Sequence, residues 1–403
     1  MAAAHFLSRR HTVSLFERED RLGGHTHTVP VASDGGAIPV DTGFIVHNRK
    51  NYPNLTRLFA ELGVATQPSD MSFSVTATPR GFEWSSRAPL ELALRSANPF
   101  DRQWRGFLAE IGRFNRAAPR LLDGPNADAV TVSEFLRRER FSARFEDQYL
   151  LPLASAVWST TLEGVEDFPA ATLVRFFRNH GFLGFFTQAA WRTVSGGSAT
   201  YIAPLTAPYR ERIVLAARID RVVRDASGVT VRAQGRPEER FDEIVFACHG
   251  DQVLPVLADA TPREKEVFAA FRPSSNSTIL HTDTSVLPRR RGSWASWNYR
   301  RIAGERRRVC VTYHMNRLQR LSAREDYCVS LDAEDLVDPS RVLRRLVYDH
   351  PLFTREAVAA QGRWSEVSGM NRTHYCGAYW GYGFHEDGLN SALRVAERLG
   401  VRW

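Results

Sequence analysis

The chain has 403 residues, of which 43% are hydrophobic and 24% charged, and its formal net charge is +8 at pH 7. These values are ordinary for a globular protein, and the length allows a large core divided over two or three lobes. No run approaches the roughly 18 consecutive apolar residues that a membrane span needs, and we expect no secretory signal peptide, which has a basic start and an apolar centre.

The cysteines and the basic charge each have an ordinary explanation. The four cysteines show no CxxC spacing, which predicts reduced thiols in a cytoplasmic protein, with neither a disulfide framework nor a zinc site. The positive charge comes from arginine, since Lys50 and Lys265 are the only lysines. The arginines are dispersed, which disfavours a nucleic-acid partner. Peripheral contact with an anionic membrane stays open as an alternative.

The first elements predict part of a nucleotide-binding fold. Residues 2–10 have the composition of a helix end, and residues 11–17 predict a buried parallel strand that ends on Glu17. At that place in a βαβ unit, a carboxylate accepts hydrogen bonds from ribose hydroxyls. Gly23 and Gly24 follow, and they allow the backbone to approach a ligand where a Cβ would clash.

Glu17, Arg21, Gly23 and Gly24 form the pattern Glu-x-x-x-Arg-x-Gly-Gly. This pattern resembles the second half of the FAD-binding signature of the amine-oxidase/phytoene-desaturase flavoprotein superfamily, and it implies FAD as the cofactor. The first half, an apolar strand with a G-x-G-x-x-G turn, does not precede residue 11. We therefore expect either a start that lies upstream of Met1 or a truncated protein. The second case is a flavin fold that no longer binds FAD tightly and is not catalytic.

His25 departs from the superfamily pattern, which commonly continues Gly-Gly-Arg. We expect His25 to hydrogen-bond the cofactor phosphate, although a neutral imidazole is weaker there than a guanidinium. His25 and His27 also suggest a metal site, which is disfavoured because no carboxylate or cysteine stands at matching spacing.

The next segments predict the flavin neighbourhood and a substrate lobe. Residues 38–46 predict a strand interrupted by Asp41-Thr42-Gly43, and the resemblance places Asp41 and Gly43 near the flavin. Residues 55–62 predict an amphipathic helix. Residues 98–190 are helical and aromatic in pattern. The resemblance implies that they form a substrate lobe, and a plain aromatic core is the equal alternative.

The second half predicts a return to the cofactor and a pocket floor. Residues 213–231 predict a β-meander that leads to a strand at residues 241–248, and the resemblance implies that the backbone of Val222 contacts adenine. Residues 275–332 predict strands of a mixed sheet beneath the pocket. Two short strands are also predicted in residues 71–84, separated by residues 79–81.

The chain closes with a predicted strand, a glycine-rich turn and a helix. The helix opens with acidic residues, which favour its positive end. Superfamily members end in this way, so the resemblance implies that this helix start faces the flavin N1/O2 region and stabilises negative charge there. The implied cofactor-binding residues are Gly383, Glu386, Asp387 and Gly388.

His385, at the start of this helix, is the candidate acid–base residue. A hydrogen-bonded structural role is the alternative for it, as it is for His281 and His314. Residues 381–388 resemble a subgroup of bacterial NAD/FAD-binding oxidoreductases, often encoded beside cyclopropane-fatty-acid-synthase-like enzymes. This association implies a lipid-like substrate.

These features predict an α/β protein with two lobes. One is a discontinuous, Rossmann-like FAD-binding lobe that lacks its first strand, and the other is a mixed-sheet and helical substrate lobe. The resemblance implies an FAD-dependent oxidoreductase of the oxidase or desaturase type, which transfers a hydride from an apolar small molecule to flavin N5. Amine oxidases often have a lysine near flavin N5, and neither Lys50 nor Lys265 is a good candidate for this position. The predicted FAD lobe comprises residues 1–70, 192–260 and 366–403, and the substrate lobe comprises residues 71–191 and 261–365.

Overall fold

The computed structural model describes residues 1–77, 82–86, 102–124, 127–158, 162–184, 189–302 and 309–403. The predicted turn at residues 79–81 and the predicted aromatic residues Phe185 and Phe186 lie outside this part of the chain. Within it, no helix combines the length and apolar character needed to cross a membrane.

Two short parallel strand pairs mark the predicted nucleotide-binding part. Strand β1 (Leu15–Phe16) pairs with β9 (Ile213–Val214), and β13 (Ile244–Phe246) pairs with β19 (Thr373–Tyr375). Parallel strands need crossover connections, which explains why the partners are far apart in sequence. Helices α1 (Ala2–Leu7) and α14 (His385–Arg398) complete this region and share one core cluster.

Three antiparallel units surround these pairs. Two strands of the predicted meander are confirmed as β10 (Ile219–Asp225) and β11 (Gly228–Ala233), and β12 (Glu239–Phe241) is the third strand of this sheet. The strand predicted at residues 213–215 lies elsewhere, because it is β9 and pairs with β1. A hairpin consists of β2 (Thr28–Ser33) and β3 (Gly36–Asp41). A three-stranded sheet has the order β4 (Val46–Asn48), β8 (Trp191–Val194) and β5 (Thr66–Pro68).

The prediction of one interrupted strand over residues 38–46 is wrong. Strand β3 ends at Asp41, and β4 begins at Val46 in a different sheet. The chain turns away at Gly43 because the Thr42 N–H donates to the His27 carbonyl and the Phe44 N–H donates to the His25 carbonyl. This turn places residues 42–45 against the segment that carries His25.

A seven-stranded sheet forms the predicted pocket floor. Its order is β18-β14-β17-β16-β15-β6-β7, and every neighbouring pair is antiparallel except β15 with β6. One face carries aromatic and aliphatic side chains, and the opposite face is rich in polar residues such as Thr312 and Ser330. The strands are β6 (Phe73–Ala77), β7 (Phe82–Ser85), β14 (Pro273–His281), β15 (Trp297–Arg301), β16 (Val309–His314), β17 (Cys328–Leu331) and β18 (Val342–Pro351).

The helices of residues 102–180 pack against the aromatic face of this sheet, and most of the other helices lie elsewhere. The predicted amphipathic helix is confirmed as α2 (Pro53–Glu61), which buries Leu55, Leu58 and Phe59. The remaining helices are α3 (Arg102–Leu121), α4 (Val132–Arg138), α5 (Ala143–Phe145), α6 (Leu151–Trp158), α7 (Leu162–Glu166), α8 (Ala170–His180), α9 (Ile202–Thr206), α10 (Pro262–Ala269), α11 (Met315–Leu318), α12 (Arg355–Gln361) and α13 (Trp364–Val367).

The hydrophobic core is divided into clusters, and the residues of these clusters do not match the predicted lobe limits everywhere. The largest cluster joins the seven-stranded sheet to the helices of residues 102–180. A second cluster joins the meander to β13 and β19, and it includes Phe268 and Trp364. Because both residues fall within the range assigned to the substrate lobe, the limits at 260/261 and 365/366 stay a prediction.

Candidate active site

A cavity of about 470 Å³ brings together segments that are far apart in the sequence. Its walls come from residues 42–46, from the turn 247–251 after β13, from the end of β18 at 348–351, and from residues 376–385 before and at the start of α14. Six of the residues predicted to form a site line this cavity: Gly23, His25, Gly43, Gly383, His385 and Gly388.

One wall of the cavity is apolar and aromatic. Trp158 and Phe176 lie with ring centroids 4.7 Å apart, and Phe176 stacks on Phe384 at 4.9 Å. From the floor, Trp297 and Tyr313 meet edge to face at 4.9 Å. Because these rings come from α6, α8, the start of α14 and the sheet, the predicted substrate lobe and the C-terminal helix share one aromatic surface. We call this surface the aromatic wall.

Another part of the cavity lining holds three imidazoles, which we call the histidine end. The His25 ring centroid lies 5.0 Å from that of His350 and 6.0 Å from that of His249. Burial, followed by the neighbouring His350, lowers the pKa of His25 well below its usual value. Burial also lowers the pKa of His350 to about 4. Both rings are therefore neutral at pH 7, and they can donate or accept hydrogen bonds there without carrying charge.

His25 has an unsatisfied nitrogen in this wall. Among the described residues, its buried Nε2 atom has no hydrogen-bond partner. His350, in contrast, donates from Nδ1 to the Asn276 side-chain oxygen at 2.8 Å, which fixes its ring. A buried polar atom without a partner costs free energy, so the His25 nitrogen suits a polar group of a bound molecule.

His385 lies at the junction of the cavity and α14. Its ring stacks on Phe44 with centroids 3.8 Å apart, and its Nε2 atom lies 3.1 Å from Thr26 Oγ1. Thr26 is in turn hydrogen-bonded to the Tyr201 hydroxyl. Burial lowers the pKa of His385 to about 4, so this imidazole is neutral at pH 7. The stacking and the hydrogen bond hold it in one orientation.

The two carboxylates at the start of α14 contact protein amides. Both oxygens of Glu386 accept hydrogen bonds from the first turn of α2, from the Asn54 N–H at 3.0 Å and the Leu55 N–H at 2.9 Å. Asp387 accepts from the Phe384 N–H at 2.9 Å. Neither side chain lines the cavity. The structure thus gives each a structural role, and their contact with the cofactor stays a prediction.

The residues of the Glu-x-x-x-Arg-x-Gly-Gly pattern form a local turn. Glu17 accepts from the Glu19 N–H at 3.0 Å, and Arg21 donates to the Gly24 carbonyl at 2.9 Å. Gly23 has φ +114°, and a Cβ there would overlap the Thr26 carbonyl oxygen. Its glycine requirement therefore comes from the protein's own backbone. Glu17, Arg21 and Gly24 do not line the cavity, so their cofactor contacts stay predictions.

Asp41 connects the two lobes. Its fully buried carboxylate accepts from Thr28 Oγ1 at 2.5 Å, from the N–H and hydroxyl of Ser198 at 2.9 Å each, and from Gln319 Nε2 at 2.9 Å. Burial nevertheless raises its pKa to about 6. With its acceptor positions engaged by protein donors, the carboxylate does not line the cavity, and its predicted place near the flavin is untested.

Val222 is buried away from the cavity. Its N–H donates to the Val256 carbonyl at 2.7 Å, and its carbonyl accepts from the Ala258 N–H at 3.0 Å. Both main-chain groups therefore have protein partners, and the predicted contact with adenine stays a prediction.

His249, His350 and Phe44 line the cavity, and none of the three is among the predicted site residues. His249 was detectable, since it follows the end of a parallel strand, where ligands of α/β folds usually bind. His350 had no such signal, because only the pairing of β18 with β14 brings it beside His25.

The comparisons with known proteins agree with this architecture. The family model described as flavin-containing amine oxidoreductase matches residues 1–400. A search of curated protein sequences gave no match. Many solved structures share the fold, and three of them illustrate its range.

Cyclohexylamine oxidase from Brevibacterium oxydans IH-35A is 16% identical with a TM-score of 0.70, and the match covers 99% of this chain and 97% of that one. Wild-type putrescine oxidase bound to putrescine is 14% identical with a TM-score of 0.70, covering 100% and 96%. The CLA-producing fatty acid isomerase from P. acnes is 15% identical with a TM-score of 0.68, covering 98% and 95%.

Proposed function

We propose that this chain, which belongs to the family of flavin-containing amine oxidoreductases, oxidises an apolar, lipid-like small molecule. As a member of this family, the protein is an FAD-dependent oxidoreductase. What we add is the substrate class, the residues that contact the cofactor, and the group that handles the proton.

The residues around the cavity fit FAD. The unsatisfied His25 nitrogen offers a hydrogen bond to a polar part of the cofactor. The first turn of α14, with Phe384, His385 and Gly388 in the cavity wall, offers main-chain N–H groups and the positive end of a helix dipole. When bound, FAD supplies the acceptor for a hydride from a substrate carbon.

The aromatic wall is the observation that carries the substrate class. Among the described lining residues there is no lysine, and the only carboxylates are Asp251 and Asp349. Both adjoin members of the histidine end, in the turn after His249 and directly before His350. An ammonium group at the aromatic wall would meet ring faces but no carboxylate of that wall, and burying a cation without a counter-charge is costly. An acyl or other hydrocarbon chain meets no such cost.

The neighbours of the same fold span both substrate classes. Two are named for amines, and one is named as a fatty acid isomerase. The fold therefore accommodates a lipid as well as an amine. Peripheral contact with an anionic membrane and a cytoplasmic location stay predictions.

We assign the proton-handling role to His385. Oxidation of a substrate carbon by hydride loss releases a proton when the neighbouring atom is deprotonated. A neutral, oriented imidazole in the cavity wall is suited to accept it. The hydrogen bond of Nε2 to Thr26 keeps the ring in place.

Anaerobic reduction of the flavin tests the substrate class. The FAD-loaded protein is mixed with long-chain acyl compounds, and in parallel with cyclohexylamine and putrescine, while the loss of oxidised-flavin absorbance is followed. We expect bleaching by the acyl compounds alone, with a product lighter by two hydrogen atoms in mass spectrometry. Faster bleaching by either amine would overturn the substrate class while leaving the family assignment intact.

A matched pair of variants tests the role of His385. We expect His385→Gln to slow flavin reduction by about 10²-fold and to remove the acidic limb of its pH profile, with FAD retained, because the imidazole accepts a proton only when it is deprotonated and its pKa is about 4. His281→Gln is the control, because His281 is also buried, has a pKa lowered to about 4 by burial, and does not line the cavity. Equal rates in the two variants would refute the assignment.

A further inference from the structure

Strand β18 is the edge strand of the seven-stranded sheet. Its residues 343–345 and 347 are exposed, and Val347 is 67% exposed, which is high for a valine within a strand. Of the strands in the described ranges, β14 alone pairs with it. Edge strands offer a row of unpaired N–H and C=O groups, and proteins usually cover or charge such edges.

The charges on this edge are arranged symmetrically about Val347. In the pairing with β14, Arg345 lies opposite Ile279, Val347 opposite Ser277, and Asp349 opposite Ser275. Since side chains alternate along a strand, Arg345, Val347 and Asp349 all belong to one face. Among the described residues, neither Arg345 nor Asp349 has an ion-pair partner.

We infer that β18 pairs antiparallel with β18 of a second copy of this chain, about a two-fold axis through Val347. In this register Val347 packs on Val347 of the second copy. Arg345 lies opposite Asp349 of the second copy, and the same contact repeats on the other side of the axis. Directly opposite residues in such a pair share a face, and opposite charges there are stabilising.

The self-complementary pattern favours a second copy over other partners. A two-fold interface needs a patch that matches itself, and the order Arg, Val, Asp at equal spacing fulfils this need. An unrelated strand would require no such symmetry. A register in which the two-fold axis lies two residues away loses this charge complementarity. If the axis passed through Arg345, for example, the two copies of Arg345 would lie opposite each other. The same strand continues into Tyr348 and His350 of the cavity, and the half-buried Asp349 also belongs to the cavity lining, so the interface adjoins the histidine end.

Charge exchange between two chains gives a direct test. The FAD-loaded wild type is expected to dimerise in a concentration-dependent manner in sedimentation velocity. Arg345→Asp and Asp349→Arg are each expected to be monomeric, because each places like charges opposite each other twice. Their equimolar mixture is expected to form one-to-one heterodimers, resolved by native mass spectrometry, because both contacts become attractive again.

Recovery in the mixture also shows that both variants are folded. Arg212→Asp, the same charge change in the segment before β9, is the control and should dimerise like the wild type. A monomeric wild type at the highest soluble concentration would overturn the inference. So would single variants that dimerise like the wild type, or a mixture that stays monomeric. A monomeric wild type that binds anionic vesicles through Arg345 would assign the edge to a membrane instead.

Discussion

At the scale of single residues, Arg224 and Glu264 form a buried ion pair outside the cavity, and Arg224 also contacts Asp259. The charged atoms of Arg224 and Glu264 lie 2.6 Å apart, and each of these two side chains is 2% exposed. The Tyr375 hydroxyl donates to the same carboxylate at 2.6 Å. Burial alone would raise the pKa of Glu264, but the hydrogen bonds from Arg224 and Tyr375 hold it below its usual value. The pair joins β10, α10 and β19 into one unit.

Removing the arginine should therefore be far more harmful than removing the hydroxyl. We expect Arg224→Met to lower the free energy of unfolding by about 3–5 kcal/mol, because it leaves a buried carboxylate without its counter-charge. Tyr375→Phe should cost about 1 kcal/mol. Urea denaturation measures both. The double variant Arg224→Met/Glu264→Met should recover much of the loss, and equal costs for the two single variants would contradict this account.

Site residues encoded by short local patterns can be predicted from sequence, whereas the partners of a buried polar group cannot. His385 and Gly23 were identified because short local patterns encode turns and helix starts. The partners of Asp41 were not, since Ser198 and Gln319 reach it from 157 and 278 residues away. The sequence shows that a residue is polar, but only packing shows whether protein groups already occupy its hydrogen-bonding capacity.

At the scale of elements, α14 supports the cavity by holding α2. Glu386 caps the first turn of α2 through two main-chain amides, and Tyr52 and Leu55, at the start of that helix, line the cavity. We expect Glu386→Ala to lower the free energy of unfolding by about 1–2 kcal/mol and to weaken FAD retention. Glu386→Gln keeps one acceptor and should cost less. Chemical denaturation and flavin content measure the two effects, and equal losses in both variants would exclude capping.

The turn between β3 and β4 is the second element that shapes the cavity. A Cβ at Gly43 would overlap the His25 carbonyl oxygen, whereas a Cβ at Gly35 meets no atom within 4 Å. We therefore expect Gly43→Ala to lower stability by about 1–3 kcal/mol and to reduce FAD affinity by displacing His25. Gly35→Ala is the matched control and should be near neutral. Thermal unfolding and FAD titration compare the two variants. An unchanged FAD affinity in Gly43→Ala would show that the position of His25 does not affect FAD binding.

At the scale of the whole molecule, the architecture was predictable because the two ends of the chain carry local motifs. The strand ending at Glu17 and the turn and helix around Gly383–His385 predicted a cofactor lobe. The histidine end was not predictable, since His25, His249 and His350 meet only after the lobes close around the cavity. Long-range assembly, which single-sequence periodicity does not encode, thus determined the chemistry of the cavity.

Folding also buries histidines throughout the molecule, and their burial makes the free energy of unfolding depend on pH. Burial lowers the pKa of six of them to about 4: His27, His47, His180, His281, His350 and His385. In the unfolded chain they take up protons near pH 6.5. Their contribution to stability is therefore present above pH 6.5 and is lost as the pH falls towards 4, because the unfolded state then binds more protons than the folded state.

Three carboxyls act in the opposite direction, namely Glu386, whose pKa burial raises, together with Asp41 and Asp387. Burial raises the pKa of Asp41 and Asp387 to about 6, so their contribution is present below pH 3.8 and is lost as the pH rises through 6. Since the histidines outnumber these carboxyls, we expect the urea midpoint to fall steadily between pH 6.5 and 4. Each net proton contributes about 1.4 kcal/mol per pH unit. His281→Gln should flatten this slope without affecting the cavity. A midpoint that stays constant or rises on acidification would show that these histidines are protonated in the folded protein.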